Sequence, residues 1–160
     1  AMEQSWKTLA MEPKFAPAQN TLGLAYQAMG THEEAILEFQ NAVNCSGGHP
    51  ASIASLAHAY AKGGEIRRAK EALRELELLT QHRYVSPYWL ALVYAGLGQQ
   101  DAAFEWLSKA GAERDVWLVW LKVEPRFDCL RQDPRFDDLL RMMRLSPSQS
   151  KRFVQASVSV

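Results

Sequence analysis

The sequence has little cysteine: Cys45 and Cys129 are its only two, far apart and without CxxC spacing. That excludes a disulfide-stapled scaffold and a zinc ribbon, and it points to a reducing compartment. No apolar run reaches the roughly 20 residues of a membrane-spanning helix, and the first residues lack the charged-then-apolar order of an export signal. No membrane association is expected, and a cytoplasmic location is. Charge of either sign is not in excess, because 18 Lys and Arg balance 18 Asp and Glu. A net charge of zero gives no electrostatic footprint for nucleic acid. Nucleophile elbow and glycine-rich phosphate loop are both missing. Of His32, His49, His58 and His82, only His49 stands near a cysteine, Cys45, and Gly47-Gly48 breaks the chain between them. Two such ligands do not make a zinc site, so no catalytic residue, no metal and no cofactor is expected.

What the sequence does have is a period. Leu22, Leu56 and Leu90 are 34 apart, as are Tyr26, Tyr60 and Tyr94, then Gly30, Gly64 and Gly98, then Ala35, Ala69 and Ala103. A fifth column is always small (Gly23, Ala57, Ala91), and a sixth always bulky and apolar (Phe39, Leu73, Leu107). On a helix, Leu22, Gly23 and Tyr26 share one stripe, and the small residue lets a second helix come close. Each Gly at the end supplies a left-handed stop. A second helix follows, with Thr31 as its cap and Glu34 reaching back in a capping box, and with Ala35 and Phe39 one turn apart facing the first helix. Each unit is thus a helical hairpin that cannot bury its apolar face alone.

The 34-residue period, with Leu-Gly-x-x-Tyr and then Ala-x-x-x-Phe in the first copy, resembles the tetratricopeptide repeat. The resemblance implies an all-α fold: a right-handed α-solenoid of antiparallel hairpins. Three full units are expected at 16–49, 50–83 and 84–111, preceded at 1–13 by the second helix of a truncated repeat, all within one domain. Helices are expected near 3–11, 17–29, 33–45, 51–62, 65–81, 87–97 and 100–110, the first with Trp6, Leu9 and Ala10 on its packed side. Gln19, Ile53 and Pro87 replace the tryptophan usual in the family, and Gly47, Gln81 and Asp115 the usual proline. Ala1-Met2 reads as a cloning remnant, and the chain as a piece of something longer.

Beyond Ala110 the columns fail, and 112–145 reads as a C-terminal helical cap followed by a tail at 146–160. Residues 116–121, Val-Trp-Leu-Val-Trp-Leu, read as a helix apolar on every side, which must be covered all round; a strand is the competing reading for so short an apolar run, but nothing nearby offers a sheet to join. Trp117 and Trp120 are accordingly assigned to core packing against the Phe127 and Phe136 helices, with an exposed patch as the alternative. Pro125-Arg126-Phe127-Asp128 recurs as Pro134-Arg135-Phe136-Asp137, each Pro opening a short helix and each Phe anchoring it. Residues 121–127 with 130–140 resemble the ending of bacterial tetratricopeptide proteins in which the array follows a signalling domain, either a winged-helix DNA-binding domain or a serine/threonine kinase.

A helical array presents a concave surface from the first helix of each unit. The stripe turned away from Leu22 and Tyr26 is Asn20, Leu24 and Gln27; adding the period gives Ala54, His58 and Ala61, then Tyr88, Leu92 and Ala95, with Lys62 and Trp89 on the flanks. These positions are expected to be more exposed than Leu90 or Tyr94 and to form a groove for an apolar peptide or helix of a protein partner. Family members that grip a C-terminal carboxylate line this stripe with Lys, Arg and Asn. Leu24, Ala54 and Tyr88 stand there instead, so that role is not carried over. The alternative function is self-association or a spacer, with a homo-oligomer forming through the N-terminal end or the tail. The tail, in which Val154, Ala156, Val158 and Val160 alternate, is expected to lie on the solenoid itself or in a neighbouring molecule's groove near Tyr88 and His58.

Overall fold

In a computed structural model, which describes residues 2–145, the chain folds as a stack of helical hairpins. The tail at 146–160, and with it the expectation about its docking, lies outside the described residues. Helix α1 (Met2–Met11) leads into α2 (Ala16–Met29) and α3 (His32–Cys45), α4 (Pro50–Lys62) and α5 (Ile66–Leu79), and α6 (Pro87–Gly96) and α7 (Gln100–Ala112). Two 3₁₀ segments, η1 (Val116–Trp120) and η2 (Pro125–Leu130), and a last helix α8 (Pro134–Leu145) close the end. No strand is present among the described residues. The all-α solenoid is therefore the observed architecture. The hairpins are α2 with α3, α4 with α5 and α6 with α7, and they join because α4 also packs on α3 and α6.

The periodic columns are the core. Leu22, Leu90, Ala35, Ala69, Ala103, Phe39 and Leu107 are fully buried. A Cβ added to Gly23 would stand 2.7 Å from the Phe39 ring, so only glycine lets α2 and α3 close over that phenyl group. In the next two units the same register sets Ala57 with Leu73 and Ala91 with Leu107, one side gaining a methyl where the other loses a ring. Gly30, Gly64 and Gly98 take φ of +79°, +84° and +73°, the left-handed stops that the period demands.

Three local expectations need correction. Thr31 does not cap α3 with its side chain: Oγ1 donates to the Tyr26 carbonyl at 3.1 Å, because the turn at Gly30 folds Thr31 back over the end of α2. On α1 the buried residue is Ser5, one turn from half-buried Leu9, while Trp6 and Ala10 face outward. The third correction concerns residues 116–121, which are not covered all round. A 3₁₀ segment has three residues per turn, so positions three apart are eclipsed and the segment has three faces rather than a ring. Leu118 and Leu121 point into the core, Val116 and Val119 into solvent, and Trp117 and Trp120 along a third side, 38% and 55% exposed. Phe127 and Phe136 are buried as anchors, at the starts of η2 and α8.

Candidate functional site

The first helices of the three units begin at one edge of the stack. His49 and Ser86 cap α4 and α6, their side chains accepting from the backbone N–H of Ala51 and Tyr88, and each is followed by a proline that fixes the first turn. Asp115 ties the cap to this edge: its carboxylate is hydrogen-bonded by the Ser86 hydroxyl and accepts from the Trp117 N–H at 3.0 Å. Segment η1 therefore starts beside the N-terminus of α6 and runs as a wall facing α2.

Between them lies a groove of about 570 Å³. Ala16, Pro17, Asn20 and Leu24 of α2 form one side, Trp117 and Trp120 the other, and Ala51, Ser52 and Ser55 the floor. The closed end is aromatic. Trp89 lies 4.8 Å from Trp117 between ring centroids, Tyr88 meets Trp89 edge-on at 5.0 Å, and Phe127 meets Tyr88 edge-on at 5.3 Å. Such edge-to-face contacts hold the rings in fixed orientations. Burial pushes the Tyr88 hydroxyl above its ordinary pKa, and the Glu124 carboxylate adds to the shift.

Most of the buried polar groups in the groove are paired, the exception being Asn20 Oδ1, which is buried without a hydrogen-bond partner among the described residues. Asn20 Nδ2 donates to Ser52 Oγ at 3.0 Å. Arg126 pairs with Glu124 through Nε at 2.8 Å and Nη2 at 2.9 Å, and its Nη1 donates to Ser55 Oγ at 3.0 Å. The Arg126 side chain is only 10% exposed, and it ties the cap to the groove floor. Burial alone would raise the Glu124 carboxyl, but the Arg126 guanidinium outweighs it and the net shift is downward. Glu124 thus stays an anion and Arg126 stays engaged. The site offers shape, apolar area and aromatic faces rather than free charge.

The expected stripe is brought together only in part. Asn20, Leu24, Tyr88 and Trp89 line the groove. Lys62 and Gln27 stand away from it, Lys62 in solvent, and Ala54, His58, Ala61, Leu92 and Ala95 are buried. Tyr88 and Leu92 are as buried as Leu90 and more so than Tyr94, against expectation. The cause is the cap. Segment η2 packs on α6, with the Cys129 thiol 3.7 Å from the Ala95 carbonyl, and fills the half of the concave face nearest the C-termini of the first helices. Under it, Gln27 Nε2 lies 2.9 Å from His58 Nδ1, and a Cβ on Gly96 would come within 2.8 Å of the His58 ring. Burial lowers the His58 pKa to about 3, with the positive charges of Arg126 and Lys62 acting in the same direction. His58 is a neutral packing residue. Trp117, Trp120, Ser52, Ser55 and Arg126 were not in the expected stripe; the signal for the two tryptophans was their spacing of three.

The family model for the tetratricopeptide repeat matches residues 16–44, the span of α2 and α3. No curated protein matches the chain.

Proposed function

We propose, from the tetratricopeptide repeat that this chain carries, that the groove between α2 and the Trp117–Trp120 wall binds an apolar segment of a protein partner and performs no chemistry. The repeat's general role is protein–protein interaction, and helix α2 of the matched repeat supplies one side of the groove. One observation carries the reading: Trp120 is 55% exposed and Leu24 38% exposed across a groove of about 570 Å³. Soluble proteins seldom leave indole rings in a concavity unless something covers them, and the volume falls in the range of roughly 300–1,000 Å³ typical of binding clefts. The bonded Asn20–Ser52 and Arg126–Glu124 pairs keep the walls rigid without presenting a free charge, which favours an occupant that is apolar rather than acidic or basic. The finer assignment, to the C-terminal part of a bacterial signalling or regulatory protein, rests on the likeness of residues 121–140 to the endings of such proteins. Self-association is the second reading, favoured by Trp6, which is 49% exposed on α1.

The test uses peptides selected from a random library on the immobilised protein, then measured against Trp120→Ala. Trp120 is largely exposed, so the fold should survive, and truncating one aromatic anchor should weaken binding about tenfold or more. Peptides that bind the variant with unchanged affinity would place the site elsewhere.

A further inference from the structure

The groove leaves its hydrogen-bond donors unspent. Tyr88 is 1% exposed and lines the closed end, yet its hydroxyl has no hydrogen-bond partner among the described residues. Among those residues, the side-chain polar atoms both sealed from water and unpartnered are Gln19 Oε1, Asn20 Oδ1, Gln27 Oε1 and His58 Nε2. The Tyr88 hydroxyl is not one of them, so it reaches open space, and the space that Tyr88 lines is the groove. A buried tyrosine ordinarily finds a partner for its O–H, so an oxygen left bare at the foot of a cleft marks the place of a ligand atom. With its pKa raised, the group keeps its proton at neutral pH and is a donor.

The walls repeat the pattern. The indole N–H groups of Trp89, Trp117 and Trp120 have no acceptor among the described residues, and the Ser55 hydroxyl accepts from Arg126 Nη1 at 3.0 Å but has no acceptor for its own hydrogen. Acceptors are scarce by comparison. Asn20 Oδ1 is closed off from water, and the Glu124 carboxylate already accepts from the Arg126 backbone N–H at 3.2 Å as well as from its guanidinium. Helices α2, α4 and α6 all begin at the groove, so the positive ends of three helix dipoles border it. Charge is balanced, because Glu124 and Arg126 neutralise each other. An anion would meet the carboxylates of Glu124 and Asp115, both close enough to Tyr88 to act on its hydroxyl.

The occupant that matches is uncharged, apolar in outline, rich in acceptors and poor in donors. An α-helix has spent its backbone carbonyls internally, and an extended strand brings one N–H for each C=O into a cleft with few acceptors. Proline has no N–H, and a polyproline II helix makes no internal hydrogen bonds, so all its carbonyls are free. Spacing agrees with this. Trp117 and Trp120 lie on a 3₁₀ segment that rises about 2 Å per residue, which separates them by roughly 6 Å along its axis. A polyproline II helix advances about 3.1 Å per residue, so one short run of prolines covers both rings.

We propose that the partner segment is proline-rich and binds as a polyproline II helix, with its rings against Leu24, Trp117 and Trp120 and a backbone carbonyl accepting from the Tyr88 hydroxyl. This rests on the groove being a binding site for apolar segments and names the kind of segment. The fixed φ of proline also lowers the entropy lost when the segment is ordered.

The probe is fluorescein-labelled decaproline, titrated with the full chain and read by fluorescence anisotropy, beside labelled peptides of equal length made of alternating leucine and serine or of glutamate. Decaproline is expected to saturate, and the other two to bind at least about tenfold more weakly. Trp120→Ala should weaken decaproline about tenfold or more. Tyr88→Phe, which removes only an oxygen without a partner, should weaken it about fivefold and leave thermal unfolding unchanged. Tighter binding of the leucine–serine or the glutamate peptide than of decaproline, lost in Trp120→Ala, would overturn the proline assignment and leave the groove standing. Decaproline binding at wild-type affinity in Tyr88→Phe would overturn the hydroxyl contact on which that assignment is built. Binding of every peptide unchanged by Trp120→Ala, or no binding of any, would overturn the groove itself.

Discussion

Phe127→Ala is expected to lower the unfolding free energy by about 3–5 kcal/mol, the largest single effect of any substitution considered for this chain. Phe127 is fully buried, packs edge-on against Tyr88 at 5.3 Å, and lies at the point where η2 lands on α6. Removing the ring leaves a cavity beside Tyr88, whose own ring is held in place by the rest of the stack and cannot collapse to fill it. It also loosens the cap segment that carries Arg126, and so the tie to Ser55 on the groove floor. Urea unfolding monitored by helix content measures the loss. A decrease under about 1 kcal/mol would mean that η2 rests on the solenoid without closing it.

Acidification should reveal His58. Its folded pKa is about 3 and its ordinary value 6.5. Above pH 6.5 the ring is neutral in folded and unfolded chains and its full contribution is present. As pH falls below 6.5 the unfolded chain takes up a proton that the buried ring refuses, so stability declines until pH approaches 3. At about 1.4 kcal/mol per pH unit of this window, the wild type should lose about 2 kcal/mol between pH 7 and pH 5. His58→Gln, which keeps a polar group of similar length but cannot titrate, should show a loss near zero over the same interval. Glu124, whose pKa is shifted downward from 4.5, enters only at lower pH and does not blur the comparison. Parallel declines in wild type and variant would show the His58 ring to be open to water, and with it the half of the concave face assigned to η2.

Much of this was legible in the sequence because repetition carries it. Each column at a spacing of 34 predicts its own burial, and Leu22, Ala35 and Phe39 are as buried as their copies require. The face of the groove was legible for the same reason, since Asn20 and Leu24 follow from the stripe opposite Leu22 and Tyr26. What failed lies where one residue's environment is set by another far along the chain. His58, Leu92 and Ala95 repeat the register of groove positions, yet η2 covers them, and the contact that holds η2 there joins Arg126 to Ser55 across 71 residues. No local pattern reports such a pairing. The tryptophan wall failed for a different reason: residues 116–121 were weighed as α-helix or strand, and the period of three that separates Leu118 and Leu121 from Trp117 and Trp120 belongs to neither. Thr31 failed because a hydroxyl at a helix start has two acceptable partners, and the left-handed Gly30 brings the Tyr26 carbonyl closer than the amides of α3.

The binding assignment is tested most directly by mapping where a library-selected apolar peptide protects the full chain from backbone hydrogen exchange. Protection is predicted at the first turns of α2 and α4, around Asn20, Ser52 and Ser55, and along η1 at Trp117 and Trp120, with exchange in α3, α5 and α7 unchanged. Protection confined to the outer helices α3, α5 and α7, with η1 exchanging as fast as in the free protein, would contradict it.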